Sequence, residues 1–209
     1  MQIVNALLRA VAERNMIWFV RPLLAAGANP YDTDRKGRTA FNRAASGGLR
    51  ALRLLTKEAF YDTQRPPDRR RWGNYELNTL SGCYSSTLIT YAAKVSPVSL
   101  VENIIKAGAD ITIVNGSGWT LLHCAAVMPG RAEILKNLVQ AFRTKGREDL
   151  ITARSTHLYE TDYGSGKIVY SEGLTAAELC RARMAQDSQC PKELAGYPDH
   201  LEETSYYNT

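Results

Sequence analysis

Apolar residues in this chain recur as short helical stripes, two at a time, with turn formers between them. In residues 116–142, Thr120 is placed to cap a helix whose Leu122, Ala125 and Ala126 share one face. Pro129 and Gly130 break that run, and Ile134, Leu135, Leu138, Val139 and Phe142 then form a second stripe. The same pairing is read elsewhere. Residues 3–35 carry an inner helix followed by a stripe of Ile17, Phe19, Val20, Leu23 and Leu24, interrupted by Pro22, which would kink the helix unless it restarts there. Leu49, Leu52, Leu54 and Leu55 mark another second helix. Leu100, Val101, Ile104 and Ile105 mark a third behind Pro97, a residue suited to a helix start. Each predicted helix is apolar on one side only, so each pair needs a neighbouring pair to cover it.

The pairs repeat at a fixed distance. Ala126 and Ala93 are 33 residues apart, as are Ala45 and Ala12, while Ala45 to Ala93 spans 48, one period plus 15. The stretches 118–126 (Gly-Trp-Thr-Leu-Leu-His-Cys-Ala-Ala) and 37–45 (Gly-Arg-Thr-Ala-Phe-Asn-Arg-Ala-Ala) share one kind of start. The stretches 23–29 (Leu-Leu-Ala-Ala-Gly-Ala-Asn) and 104–110 (Ile-Ile-Lys-Ala-Gly-Ala-Asp) share one kind of end. These resemble the ankyrin-repeat family, whose units open on Gly-x-Thr-Pro-Leu-His-x-Ala-Ala and close on Leu-Leu-x-x-Gly-Ala-Asp. None of the starts keeps the family's Pro, and only His123 keeps its His. A weaker fifth start, 173–180, is displaced from the fourth by 55 residues, one period plus 22. The resemblance implies an all-α ankyrin-repeat solenoid: a single domain over 1–209, built of helix-turn-helix units with hairpin fingers. Its repeats fall at about 3–35, 36–59, 84–116, 117–142 and 172–200, with inserts at 60–83 and 143–171 leaving on the finger side. Paired alanines let neighbouring inner helices approach closely.

The inserts break the pattern. Residues 64–73 read Gln-Arg-Pro-Pro-Asp-Arg-Arg-Arg-Trp-Gly, either a solvated loop or a basic recognition loop with Trp72 and Tyr75 as apolar anchors. Residues 111–116 end on Asn-Gly behind a β-branched run and predict a hairpin finger. Residues 156–170 alternate about Asp162, Gly164 and Gly166 and predict an extended hairpin. After 189 the pattern degrades, and the acidic, Tyr-containing tail 199–209 suits a terminal cap or a loose end.

Composition adds limits. With 209 residues, 44% of them hydrophobic, the chain has enough material for a substantial core. A net charge of +5 favours acidic partners or merely solubility, and without a concentrated basic stripe it is weak evidence for nucleic acid, which is not the expected partner. Four cysteines, at 83, 124, 180 and 190, include no Cys-x-x-Cys pair and fit a reducing compartment. Glu13, Arg14 and Arg21 interrupt the apolar run of residues 1–30, so it reads as a repeat and as neither a signal peptide nor a membrane helix. The expectation is a cytoplasmic protein; an export signal removed upstream of Met1 stays open as an alternative. His123 sits where the family's His bonds the turn and links adjacent units, a structural role. His157 and His200 lack zinc-ligand spacing, so no metal and no cofactor are expected. No nucleophile elbow, phosphate loop or His-Glu-x-x-His helix occurs, and Glu148-Asp149 and Glu202-Glu203 read as solvated carboxylates. The chain is not expected to be an enzyme.

In proteins of the resembled family, partners lie against the fingers and inner helices. Carried over position by position, this gives Asp34, Lys36, Arg38, Asn115, Ser117 and Trp119 on the fingers, with Arg43, Ser46, Tyr91 and Lys94 on the inner helices. The inserts add Arg69, Arg70, Arg71, Trp72, Tyr75, Tyr159 and Tyr163. Trp119, Tyr91 and Arg38 are the expected anchors, although Trp119 packing against the next finger is an equal reading. The expected function is a non-catalytic module, monomeric by itself, that binds another protein with an acidic surface, as an inhibitor or immunity partner or as an adaptor. No membrane is involved. The competing reading is an effector-type or nucleic-acid-associated protein acting through the basic insert 65–72, whose binding would be salt-sensitive.

Overall fold

Short amphipathic helices that cannot cover their own apolar sides pack here in chain order, each pair on the next. The computed structural model describes residues 2–72, 75–156, 160–161, 168–169 and 173–184. The helices are α1 (Gln2–Glu13), α2 (Ile17–Ala25), α3 (Ala40–Gly47), α4 (Leu49–Thr63), α5 (Leu88–Val95), α6 (Val98–Lys106), α7 (Leu121–Ala126), α8 (Ala132–Thr144) and α9 (Ala176–Met184). A two-residue antiparallel pair, β1 (Glu160–Thr161) with β2 (Ile168–Val169), lies in the stretch expected to form a hairpin, whose turn residues 162–167 lie outside the described residues. Other expectations that fall outside them are the terminal cap after 184 and Cys190.

The first helices of successive pairs meet side by side: α1 packs on α3, α5 on α7 and α7 on α9. The second helices follow, α2 on α4 and α6 on α8. Small residues make this approach possible. Ala12, Ala44, Ala92, Ala93, Ala125 and Ala126 are fully buried, whereas Ala45, aligned by the period, is only partly so. The tightest point is the junction of the first two pairs. A Cβ on Gly48 would run into the carbonyl oxygen of Ala12, and one on Gly47 would stand 2.8 Å from that of Glu13. Asn15, held at φ 57°, closes the same junction by accepting the Ala51 N–H on its side-chain oxygen at 3.0 Å.

Three of the first helices, α3, α7 and α9, are fixed by a Thr three residues before a capping partner. Thr39 donates its N–H to Oδ1 of Asn42 at 3.0 Å, and Asn42 returns its own N–H to the Thr39 hydroxyl. In the last unit Thr175 and Glu178 exchange the same pair of bonds. Around α7 the partner is His123: Nδ1 accepts the Thr120 N–H at 3.2 Å, which leaves the proton on Nε2 to donate to the Leu174 carbonyl at 2.9 Å. α7 is thereby tied to the segment that leads into α9, the link that the resemblance implied for His123. Asn42 does the equivalent by donating to the Tyr91 hydroxyl at 2.9 Å.

The middle junction departs from the repeat. α5 packs against α4, and α4 continues through Thr63 into the segment expected to be insert. An aromatic wedge fills the space at α3. Phe41 stacks on Tyr91 with centroids 5.2 Å apart, Tyr31 stacks on Tyr75 at 4.0 Å, and Trp72 stands edge-on to Tyr31 at 6.4 Å. Trp72 is buried and donates its indole N–H to the Ala28 carbonyl at 3.0 Å. Burial beside the Asp62 carboxylate raises the Tyr31 phenol far above its ordinary value.

Three local expectations change. The finger at 111–116 forms turns, because Asn115 uses its side chain to close the loop on itself. Pro22 lies inside α2 without ending it, since the helix is short and Pro22 faces solvent. Phe19, read as core, is 53% exposed.

Two outcomes follow from these junctions. Gly48→Ala should cost about 3 kcal/mol of stability in urea unfolding, because backbone has no rotamer with which to give way; a loss below about 0.5 kcal/mol would mean that the first two pairs do not meet this closely. Burial pulls the His123 imidazole below its ordinary value, against opposing pulls from the Leu174 carbonyl and the Glu178 charge. As pH falls below about 6.5, the unfolded chain takes up a proton that the folded chain refuses, so stability should fall through that window. His123→Gln keeps the cap and should remove this slope from the pH profile of the unfolding midpoint; superimposable slopes would contradict the assignment.

Candidate functional site

The loops that open the units lie edge to edge. Asp34 and Asn115 occupy the same place in two of them: each N–H bonds a carbonyl four residues on, Arg38 and Trp119 respectively. Each side-chain oxygen then collects two further backbone N–H groups, those of Lys36 and Arg38 at 2.8 and 3.0 Å, and those of Ser117 and Trp119 at 3.0 and 2.9 Å. Successive loops are then joined. Gly37 lies against Cys83, the Tyr84 carbonyl accepts the Gly116 N–H at 2.8 Å, and the Ser117 carbonyl accepts the Thr156 N–H at 3.2 Å. Gly116 and Gly118 allow this contact, since a Cβ on Gly118 would stand 2.7 Å from the Thr156 nitrogen. Cys83, Tyr84 and Thr156 thus reach the same edge as the fingers themselves.

One charged knot sits at the start of this edge. Asp34 receives Arg38 at 3.0 Å and Arg43 at 2.9 Å, and Arg43 also reaches both oxygens of Glu13 on α1 at 3.0 Å. Burial would raise the Asp34 carboxyl, but the backbone N–H groups of Arg38 and Lys36 and the two guanidinium groups hold it well below the usual carboxylate range. The charges of Asp34, Arg38 and Arg43 are therefore largely matched within the chain. Lys36 and Ser46 are exposed. Lys94, half-buried, lies over the Trp119 ring, 5.0 Å from its centroid. Asn115 and Ser117 are half-buried in the finger turn.

Several expected anchors prove to be internal. Tyr91, Trp119 and Trp72 are 4, 5 and 6% exposed, so they offer no area to a partner. Tyr91 and Trp72 are the wedge of the middle junction, and Trp119 is buried with its ring 6.3 Å from that of His123 in its own unit, where the alternative reading had it packing against the next finger. Tyr75 is half-buried on Tyr31. Tyr159 and Tyr163 lie outside the described residues.

The basic insert is tied down too. Arg71 donates its backbone N–H and Nε to Asp62 at 3.1 and 3.2 Å, reaches Glu58 at 3.4 Å, and lies 4.4 Å from the centre of the Trp72 ring. Asp62 is buried, so Arg71 is its counter-charge. Arg70 bonds the carbonyls of Thr63 and Arg65, both at 3.3 Å, along a groove of about 530 Å³ between the ends of α4 and α6. Arg69 keeps 78% of its side chain exposed. A stretch read as one basic loop is a folded strap from which one of its three consecutive arginines projects.

Sequence reasoning missed Tyr84 and Val114, which are 41 and 42% exposed where neighbouring loops meet. No motif announces them; only the Tyr84–Gly116 contact places them on the edge. Among the described residues no helix is long and apolar enough to cross a membrane.

Residues 117–143, which take in the end of the second finger turn, α7 and nearly all of α8, match the family model of the ankyrin repeat. No curated protein sequence matches the chain. The matched unit carries the Thr120–His123 cap and the paired alanines that its neighbours repeat with variation, so the chain contains an ankyrin repeat at residues 117–143.

Proposed function

We propose that this chain is a non-catalytic protein–protein interaction module: a five-unit ankyrin-repeat solenoid, with inserts on its finger side, that grips a partner protein along the finger edge and the adjoining inner helices. The matched unit is of a kind that binds proteins and is generally non-catalytic, which supports this class. The observation that carries the reading is the chain of contacts from Gly37 through Cys83–Tyr84 and Gly116–Ser117 to Thr156, which makes one pre-ordered ledge out of loops distant in sequence. A ledge ordered before binding loses little entropy on association. Lys36 on this ledge and Ser46 on the adjoining inner helix are exposed, and with a chain charge of +5 they suit an acidic partner surface. The reading through the basic insert has less support, since Arg70 and Arg71 are engaged within the chain.

The partner is held as the target of an inhibitor of the immunity type, or as a client of an adaptor. A photo-crosslinking residue placed at 36 or 46 should capture a protein from the native source, and one at the outer-helix position 106 should not; equal capture from 106 would contradict the finger-edge reading. Stoichiometric addition of this chain to the captured partner's own assay then separates the roles, an inhibitor abolishing turnover and an adaptor leaving it intact.

A further inference from the structure

We propose that two copies of this chain associate through the open face of α1, helix against antiparallel helix, in place of the monomer expected from the sequence. α1 is covered on two sides, by α2 and α3. At 100° per residue, Ile3, Leu7, Ala10 and Arg14 form a stripe on the side away from both, with Ala6 beside it. Ile3 is 84% and Leu7 49% exposed. From the α1–α2 turn and α2, Met16, Trp18 and Phe19 add side chains that are 40, 84 and 53% exposed. Large apolar groups at such exposure are concentrated at this end of the molecule.

What favours a second copy as the occupant is size matching. In an antiparallel pair with Ile3 facing Ala10 of the other copy, Leu7 faces Ala6, so each large side chain meets a small one on both sides of the two-fold axis. Arg14 falls beyond the overlap and meets no like charge. The other charged residues of α1 are already turned elsewhere, Arg9 to Asp32 and Glu13 to Arg43. The five exposed side chains together leave apolar area on the order of 600 Å² per copy, at the upper edge of what a monomer ordinarily leaves open, and a pair that covers all five buries about 1,200 Å², the lower edge of stable interfaces.

Sedimentation velocity on the full chain tests this. The mass should rise from 23.2 kDa toward twice that value as concentration increases, with the midpoint between about 1 and 100 µM. Ile3→Glu and Leu7→Glu, both at exposed positions and checked for an unchanged thermal melt, should each weaken association at least about tenfold. Ala10→Arg, which fills the small side of the pairing, should do the same. A chain that stays monomeric throughout this range overturns the proposal, whether its own tail or a different protein covers the face. So does a dimer that survives all three substitutions.

Discussion

Everything in this fold depends on backbone meeting backbone between units. The carbonyl oxygens of Ala12 and Glu13 stand where a Cβ on Gly48 or Gly47 would be, and the inner helices behind them present alanine to alanine. None of the helix pairs encloses a core of its own. α7 is six residues long, all six buried, and a helix of that length has no stability in isolation. Its order comes from α5 on one side and α9 on the other, and the edge on which the loops are displayed inherits that order.

The middle junction is where the 33-residue spacing lengthens to 48. The extra residues between the second and third units continue α4, tie Arg71 to the buried Asp62, and drive Trp72 and Tyr75 into the space beside Tyr31, Phe41 and Tyr91. Aromatic area replaces the small-residue contact that the other junctions use, and the basic strap is held by the same groups. An insertion that looked like an appendage is part of the core. The finger edge survives because the insert's last turn, at Cys83 and Tyr84, stands in the row where a finger belongs.

This division also explains what could be read in the chain beforehand. The Thr-x-x-partner start and the paired alanines are local features with one structural meaning each, so the helices, the cap at Thr120 and the link through His123 were legible. Tyr91 and Trp119 were assigned outward because positional analogy assumes a regular neighbour, and Trp72 because a stretch rich in Arg and Pro reads as surface; Tyr91 and Trp72 sit where the stack is irregular. Asn115 takes the finger backbone into a turn, which a β-branched run in front of Asn-Gly does not disclose. Exposed Phe19 reads like core because periodicity gives the apolar positions and not which of them find a neighbour. The ledge at Tyr84 and Val114 depends on contacts between loops that no single stretch records.

The central claim is that the units are stable only together. Native-state amide exchange measured at increasing urea tests it most directly, by comparing the buried amides of Ala92 and Ala93 in α5 with those of Ala125 and Ala126 in α7. If the stack is one cooperative body, both helices should open with the same free energy and the same steep dependence on urea. Separate opening free energies, each with a shallow dependence, would mean that the helix pairs stand alone and would contradict the account.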